Sequence, residues 1–592
     1  MILQSLYELY DRLSRDREYD ISPLGYSKQK IAFKVVLRPD GTLHAIEDIR
    51  KQIDKKFVPR YRNVPGSTKS SGSGFNPGFL WDNTGYMLGY KANDKNAKRT
   101  LQSFETFRDM HCRYKSAINS LPYQAVCTFL ENWNPENAEQ YPVLKDVATG
   151  FGVFQMLGQE GYIHSDQAVQ EWWARRQDDE DDNVSGRCLI TGEISSLARL
   201  HKPRIKRVGD QAESLLVSFN DPSYTSYGKE QSYNAPVSKE AAFRYATALN
   251  ALLDGPKSHK HRFTLADATI VFWTKEPTYT EDIFAQFAMQ GSAVVNKQET
   301  QDEDLRHRIE LFLKALRQGR DAYSDIDKAP DRTPFFILGL TGQAKGRIGV
   351  RFFCRDTISN LLDNLRQHYQ NMAIVRNGKK NDPEFPALWQ LLDETCPRRN
   401  GKPDRDKIPP ILSGPLLRAV ITKARYPDGL YNAVMRRICV DGNINYARAC
   451  IIKGYLTRNR NKEVSMALDP NRKDPAYRLG RLFAALEKTQ EDALGKLNST
   501  IRDRFYSAAS ATPCAVFPRL LRTYQHHLSN PKMDKWRIGR EILVRDILEP
   551  VTTFPAHMNL TDQGIFAIGY YHQMRDFWTS KEDKEQEKGG AE

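Results

Sequence analysis

Side chains that could carry out catalysis are sparse in this sequence and do not form a recognisable catalytic motif. Residues 339–346 (GLTGQAKG) resemble a phosphate-binding loop, but they lack the G-K-[ST] ending whose Lys and hydroxyl would hold phosphate and Mg²⁺. Cys188 and His201 are two possible zinc ligands, and even an open catalytic zinc site needs more protein ligands than that. We therefore expect no catalytic residue, no metal and no cofactor.

A glycine-rich loop, residues 69–83, has the residue types of a segment that contacts DNA. Glycine lets the backbone approach DNA closely, amides can read base edges, and a lysine can hold a phosphate. Phe75 and Trp81 are apolar side chains that could open a base step. A surface loop without a partner is the alternative. The residues predicted to recognise a DNA motif are Lys69, Ser70, Ser71, Gly72, Asn76 and Asn83, with the two asparagines as base readers.

A second polar cluster follows the segment Ser218-Phe219-Asn220 and precedes a predicted helix. We predict that this cluster lines the pocket that recognises the DNA motif, or that it binds the opened strand. In either case Lys229 would contact a phosphate. Capping and turn hydrogen bonds are the alternative use of these side chains. The cluster comprises Asn220, Lys229, Gln231 and Asn234.

Basic side chains also recur near the C-terminal end. A predicted helix over 477–497 places its leucines on one face and its basic residues away from them. A positive track of this kind can hold single-stranded DNA by its phosphates, and a merely solvated helix face is the alternative. The residues predicted to bind a displaced strand are Arg478, Arg481, Lys488, Lys496, Arg502, Arg504, Arg519 and Arg522.

The elements that would carry these residues indicate an α+β fold. Alternating and buried apolar runs predict strands, with a turn at Pro39-Asp40-Gly41 and a helix that begins after Ser238. From about Pro409 onward only helical patterns occur. We expect a mixed amino-terminal domain with β-hairpins over 1–405 and an all-α helical domain over 406–592. The predicted strands are 31–37, 42–46, 215–219, 269–274, 335–340 and 347–353.

Composition fits a globular protein with an anionic partner. The 592 residues are 40% hydrophobic and carry a formal net charge of +14, the sign expected of a protein that binds phosphate backbones. No apolar run approaches the roughly 18 to 20 residues that cross a bilayer. Glu8 and Asp11 interrupt the start of the chain where a signal peptide would be apolar, so we expect a cytoplasmic protein without membrane contact.

Four motifs together resemble one known family. They are GFLWDN at 78–83 with Tyr86, CLITGE at 188–193, the SFN to NAPVS block at 218–238, and GRLFAALE at 480–487. In this combination and order the chain resembles the large subunit of the type I-C CRISPR Cascade complex, and the likeness extends through 498–504 (NSTIRDR).

The resemblance implies a subunit that checks a protospacer-adjacent motif on double-stranded target DNA. A guide RNA ribonucleoprotein with Cascade backbone and guide-end subunits would read the remaining sequence by base pairing. A separate helicase-nuclease would cut the DNA. The family also implies an internal translation start, here Met466, that yields small subunits from residues 466–592.

Two other functions remain open from the residues alone. Dispersed carboxylates could converge into a metal-dependent nuclease, which a cleavage assay with Mg²⁺ would reveal. A structural scaffold without DNA contact would show no salt-sensitive DNA binding in the assembled complex.

Overall fold

The computed structural model describes residues 1–53, 56–66, 74–147, 150–176, 184–209, 211–277, 281–282, 284–285, 333–343, 347–376, 385–495 and 498–579. Its internal contacts divide the chain into two compact units. The first comprises Met1–His259 with Gln343–Ile348, and the second comprises Lys260–Gly342 with Gly349–Glu592. The predicted domain boundary between residues 405 and 406 falls inside the second unit. That residues 1–405 recognise the DNA motif and residues 406–592 bind the displaced strand stays a prediction.

The first unit is built on a mixed sheet. Its longest strand, β1, pairs antiparallel with β2 and β5 and parallel with β7, which also pairs with β6. A separate hairpin joins β3 and β4. The strands are β1 (Tyr26–Leu37), β2 (Leu43–Asp48), β3 (Lys51–Ile53), β4 (Lys56–Val58), β5 (Arg60–Pro65), β6 (Trp81–Asn83) and β7 (Phe151–Met156).

The predicted turn between the first two strands is confirmed. Asp40 accepts a hydrogen bond from the main-chain N–H of Thr42 over 2.9 Å, and the N–H of Gly41 donates to the carbonyl of Arg38. Gly41 has a φ of +86°, and a Cβ there would lie 2.7 Å from Cβ of Thr128. Glycine is needed for both the left-handed backbone and the space.

Helices cover this sheet and bury its apolar face. Phe33, Val35, Phe107, Val126 and Phe154 are fully buried in the resulting core. The helices of the first unit are α1 (Ile2–Arg15), α2 (Thr84–Leu88), α3 (Ala97–Arg113), α4 (Leu121–Asn132), α5 (Val143–Asp146), α6 (Gln167–Arg176) and α7 (Lys239–Asp254), and α1 packs on α7 outside this core. The helix predicted after Ser238 is α7, and the Ser238 hydroxyl accepts from the N–H of Ala241 as an N-cap.

Two short hairpins stand between α6 and α7, formed by β8 (Ser185–Arg187), β9 (Ile194–Ser196), β10 (Ile205–Val208) and β11 (Gln211–Ser214). The prediction of a strand over 215–219 is wrong. Pairing with β10 ends at Ser214, which faces Ile205, and the chain then leaves the hairpin without a further ladder. The apolar run at 215–219 thus lies directly after the residues that pair with β10.

The second unit begins with a four-stranded sheet in the order β12 (Arg262–Leu265), β13 (Ala268–Thr274), β14 (Pro334–Gln343) and β15 (Arg347–Thr357). The strand predicted over 269–274 is confirmed as β13, which is buried throughout. The predicted pair 335–340 and 347–353 is confirmed as β14 and β15. Next come α8 (Ile358–Met372), α9 (Leu388–Asp393) and the small pair β16 (Arg398–Arg399) and β17 (Lys402–Pro403).

The described residues of the second unit that follow β17 are mainly helical, as predicted, and the α+β fold class is confirmed. Its helices are α10 (Ser413–Thr422), α11 (Asp428–Asp441), α12 (Tyr446–Arg460), α13 (Pro475–Leu494), α14 (Ile501–Ala511), α15 (Pro513–Leu528), α16 (Arg537–Leu548) and α17 (Leu560–Trp578). None of the helices in the described ranges combines the length and apolar character needed to cross a membrane.

Helix α13 is the centre of this helical region. Gly480 of α13 faces the main-chain oxygen of Phe566, and Gly569 of α17 faces that of Tyr477, so a Cβ at either glycine would clash. The two helices therefore pack backbone to backbone. One apolar core then connects described residues of this unit from Phe263 to Tyr571.

Candidate nucleic-acid interface

A cleft of about 1070 Å³ opens in the first unit. Basic side chains outnumber acidic ones along its wall by six to three. The acidic residues are already paired: Asp20 with Lys28 at 2.8 Å, Glu213 with Lys206 at 3.9 Å, and Asp254 with Arg207 at 2.9 Å. With six basic and three acidic side chains, the wall carries a net positive charge. The basic wall residues are Lys28, Arg176, Lys202, Arg204, Lys206 and Lys239.

Aromatic rings form part of the same wall. Phe79 stacks on Trp173 with ring centroids 4.9 Å apart, and the Trp173 indole N–H donates to the carbonyl of Gly25 over 3.0 Å. Arg176 lies over the ring of Tyr114 at 4.3 Å, which holds its guanidinium in place. Cations beside fixed rings are the combination with which proteins bind single-stranded nucleic acid.

One predicted base reader of the glycine-rich loop lies at this cleft. Asn76 of the loop and Gly66, which precedes the loop, both line the wall. Gly66 has a φ of +95° and packs toward Trp173. Asn76 is exposed, and its main-chain N–H donates to the hydroxyl of Tyr86 over 3.1 Å. Lys69, Ser70, Ser71 and Gly72 lie outside the described residues.

Asn83, the second predicted base reader, occupies a different recess of about 520 Å³. Its side-chain oxygen accepts from the N–H groups of Gly85 and Tyr86, over 3.0 and 3.3 Å, and caps helix α2. The structure therefore does not bring Asn76 and Asn83 to one recess, and capping occupies the oxygen that would read a base. Asn at a strand end before a short helix is itself a capping signal.

The second predicted cluster forms a compact loop of its own. Asn234 accepts from the N–H of Ser226 over 3.0 Å and donates to the carbonyls of Lys229 and Gln231 over 2.7 and 2.9 Å. Its amide is therefore used inside the loop. Asn220 and Lys229 are exposed, whereas Gln231 is partly buried. Of the residues described along the cleft wall, none belongs to this cluster.

The prediction that Arg478 and Arg481 lie on an exposed basic face is wrong. They are 5% and 4% exposed, because α13 is covered on both sides by neighbouring helices. Arg478 donates to the carbonyls of Asp546 and Ile547 at the end of α16, and Arg481 donates to the side chain of Gln573 over 3.0 Å. Burial lowers the pKa of the Arg481 guanidinium.

The other predicted displaced-strand residues divide into two groups. Lys488 pairs with Asp492 at 2.5 Å, and Arg502 lies 3.7 Å from the buried carboxylate of Glu487, so both have internal partners. Lys496 lies outside the described residues. Arg504, Arg519 and Arg522 are exposed on α14 and α15.

The sequence model of the CRISPR-associated protein family Cas_Csd1 matches residues 6–578, nearly the whole chain. The chain belongs to the CRISPR-associated Csd1 family. It is thus a Cascade-type CRISPR-associated protein. A comparison with curated proteins gives no match.

The positive cleft of this Csd1-family chain was missed by sequence reasoning. Lys28, Arg176 and Lys202 are far apart along the chain, and they meet only because β1, α6 and the segment before β10 converge. The run Lys202-Pro203-Arg204 was the available signal, but basic residues are frequent throughout a sequence with 87 Lys and Arg.

The two possible zinc ligands considered at the sequence level take part in hydrogen bonds. Burial acts to raise the pKa of Cys188, but hydrogen bonds from Ser238 and Thr191 lower it to about 7. His201 bonds to the hydroxyl of Tyr245 over 2.8 Å, and burial lowers its pKa to about 4. Within the described ranges no group of three or more His, Cys, Asp or Glu side chains could hold a metal ion.

Proposed function

We propose that this chain is the large subunit of a type I-C Cascade complex and that it recognises the protospacer-adjacent motif in duplex DNA. In this role it helps to open the duplex for guide RNA pairing and supports recruitment of the helicase-nuclease. Because base pairing with the guide reads most of the target, the protein has only to read a short motif and start the opening.

The observation that carries this proposal is the cleft of the first unit. It combines exposed Lys202 and Arg204, the fixed ring of Trp173, and Asn76 of the glycine-rich loop. Phosphates would be held by the cations, while the loop would supply contacts to base edges. Membership of the Csd1 family supports a place in a CRISPR effector complex.

The proposed partners are double-stranded target DNA, the guide RNA ribonucleoprotein, the Cascade backbone and guide-end subunits, small subunits made from the same C-terminal region, and the helicase-nuclease. The proposed location is the cytoplasm. The subunit itself would bind and open DNA without cutting it. Mg²⁺-dependent cleavage by the isolated chain, lost on substitution of an Asp or Glu, would replace this proposal with a nuclease.

The first experiment compares Asn76→Ala with wild type in the reconstituted complex. We expect affinity for a target with the correct motif to fall roughly tenfold, since a good amide-to-base pair discriminates by about 1 to 3 kcal/mol. Targets with a wrong motif should bind equally to both proteins. Asn137→Ala, an exposed asparagine away from the cleft wall, is the matched control.

The second experiment tests the cations. Lys202→Ala with Arg204→Ala should weaken binding to all sequences alike and reduce the salt dependence by about two counterions. Arg15→Ala with Lys145→Ala removes two exposed charges that do not line the cleft and should leave the salt slope unchanged. If wild type and the Lys202 and Arg204 variant had equal salt slopes, the cleft would not be a DNA-binding site.

A further inference from the structure

Tyr227 projects almost entirely into solvent at the tip of a tight turn. It is 96% exposed, more than any other large apolar or aromatic residue that the structure describes as exposed. Ser226 and Lys229 form an isolated antiparallel bridge on either side of it, and the N–H of Lys229 donates to the carbonyl of Ser226 over 2.9 Å. The ring thus stands at the outermost point of the loop.

The backbone conformation at this tip is unfavourable for a tyrosine. Tyr227 has a φ of +50° and Gly228 a φ of +69°, so both central residues of the turn are left-handed. Such mirror-image turns favour Asn-Gly and Gly-Gly, and a bulky residue in the first position is an outlier. Because the ring is also unburied, neither local preference nor packing accounts for a tyrosine here.

The loop holds this turn in place from behind. The Asn234 amide makes three hydrogen bonds across it, to Ser226, Lys229 and Gln231. Gln231 also adopts a left-handed φ of +47°. Strained backbone that its surroundings over-determine is typical of functional segments. The ring is therefore displayed on a fixed support, which lowers the entropic cost of binding a partner.

We propose that Tyr227 stacks on an unpaired nucleobase of the opened target DNA. This inference rests on the proposed function and adds a residue to it. Residues 218–230 carry Asp221, Lys229 and Glu230, a net charge of −1, so the loop offers a ring face rather than a phosphate grip. Every base has a face on which an aromatic ring can stack, so the contact would not depend on sequence.

The test uses the complete reconstituted complex with Tyr227→Asn, which suits the turn but removes the ring. We expect its affinity for target duplex to fall about tenfold, while Tyr227→Phe, which keeps the ring, stays within about twofold. The salt slope should equal that of wild type, because no charge is removed. Tyr224→Asn, which removes a half-exposed ring of the same loop, should bind like wild type.

Three outcomes would overturn the inference. Unchanged DNA affinity in Tyr227→Asn is the first. A lower unfolding temperature of that variant is the second, since it would give the ring a role in the fold. A defect in assembly without DNA is the third, and it would point to a protein partner. If the Asn76 and cleft variants lose DNA binding and Tyr227→Asn does not, only this inference fails. If none of them does, the proposed function fails as well.

Discussion

Arg478 donates a hydrogen bond from Nη1 to the main-chain carbonyl oxygen of Asp546, over 2.9 Å. That carbonyl belongs to the last turn of α16, where helical oxygens have no partner within the helix and carry the negative end of its dipole. The same guanidinium also donates to Pro470 over 3.2 Å. Arg478 therefore joins the end of α16 to the segment before α13.

The first prediction is that Arg478→Met destabilises the helical region by about 2 to 4 kcal/mol, because it leaves buried carbonyls without donors. Urea-induced unfolding would measure the loss. Arg522→Met changes an exposed residue of the same region and should stay within about 0.5 kcal/mol of wild type. If Arg478→Met kept full stability and lost DNA affinity, the arginine would be a phosphate contact after all.

The second prediction concerns the exposed arginines Arg504, Arg519 and Arg522. Replacing all three by Ala should lower the slope of log affinity against log salt by about 2 if they hold displaced single-stranded DNA. The measurement is target binding by the whole complex over a range of salt concentrations. Arg545→Ala, whose side chain is 73% exposed on α16, should leave the slope as it is. If the triple variant kept the wild-type slope, these arginines would be solvated side chains that do not bind DNA.

Local patterns predicted those parts of the fold that short-range physics determines. The Asp40-Gly41 turn, the Ser238 cap and the buried strand β13 depend on residue types within a few positions. The strand predicted over 215–219 failed because pairing with β10 selects Gln211–Ser214, and an apolar run cannot reveal which residues find a partner.

The sequence pattern could not show that charged side chains are buried, because burial also depends on elements that pack from elsewhere in the chain. A helical projection separates Arg478 from the leucines of α13, but it cannot show that a second layer of helices covers the basic side as well. Asn83 ends strand β6 and caps α2, and the Asn234 amide bonds inside its own loop, so the hydrogen bonds of both are local. The positive cleft depends on elements distant in sequence, which one sequence cannot place together.

The third prediction uses His368, which is 2% exposed and bonds to the hydroxyl of Tyr426 over 2.8 Å. Burial, with a further contribution from the charge of Arg458, lowers its pKa to about 3. A lowered folded pKa means that its contribution to stability is present above about pH 6.5 and is lost as pH falls from there toward 3. At pH 5.5 the loss is about 1 kcal/mol.

Urea unfolding of wild type and His368→Gln at pH 7.5 and 5.5 checks this. The stability difference between the two proteins should shrink by about 1 kcal/mol at the lower pH, because the variant has no proton to bind there. His557→Gln removes an exposed histidine of the same unit and should follow wild type. Parallel pH profiles for wild type and His368→Gln would contradict a neutral buried imidazole.

The segment after Met466 is not an isolated bundle in this chain. Tyr431 of α11 donates to the carbonyl of Leu560 over 2.8 Å, and Tyr571 of α17 donates to that of Val375 over 2.7 Å. Gly564 of α17 packs against Tyr431 and Ile452. A polypeptide of residues 466–592 would lack these partners and expose one face of α17. We expect it, alone, to unfold at a lower temperature than the same helices in the full chain.

The last prediction is that such a polypeptide is nevertheless made and assembled. Met466 is 60% exposed between α12 and α13, and the chain that follows it contains complete helices, so translation from this codon would yield a product able to fold on a partner. Mass spectrometry of the purified complex should find residues 466–592. Met466→Leu should remove that species and leave the full-length subunit equally stable, since the side chain is mostly in solvent. Persistence of the shorter polypeptide in the Met466→Leu complex would assign it to proteolysis or to a different start.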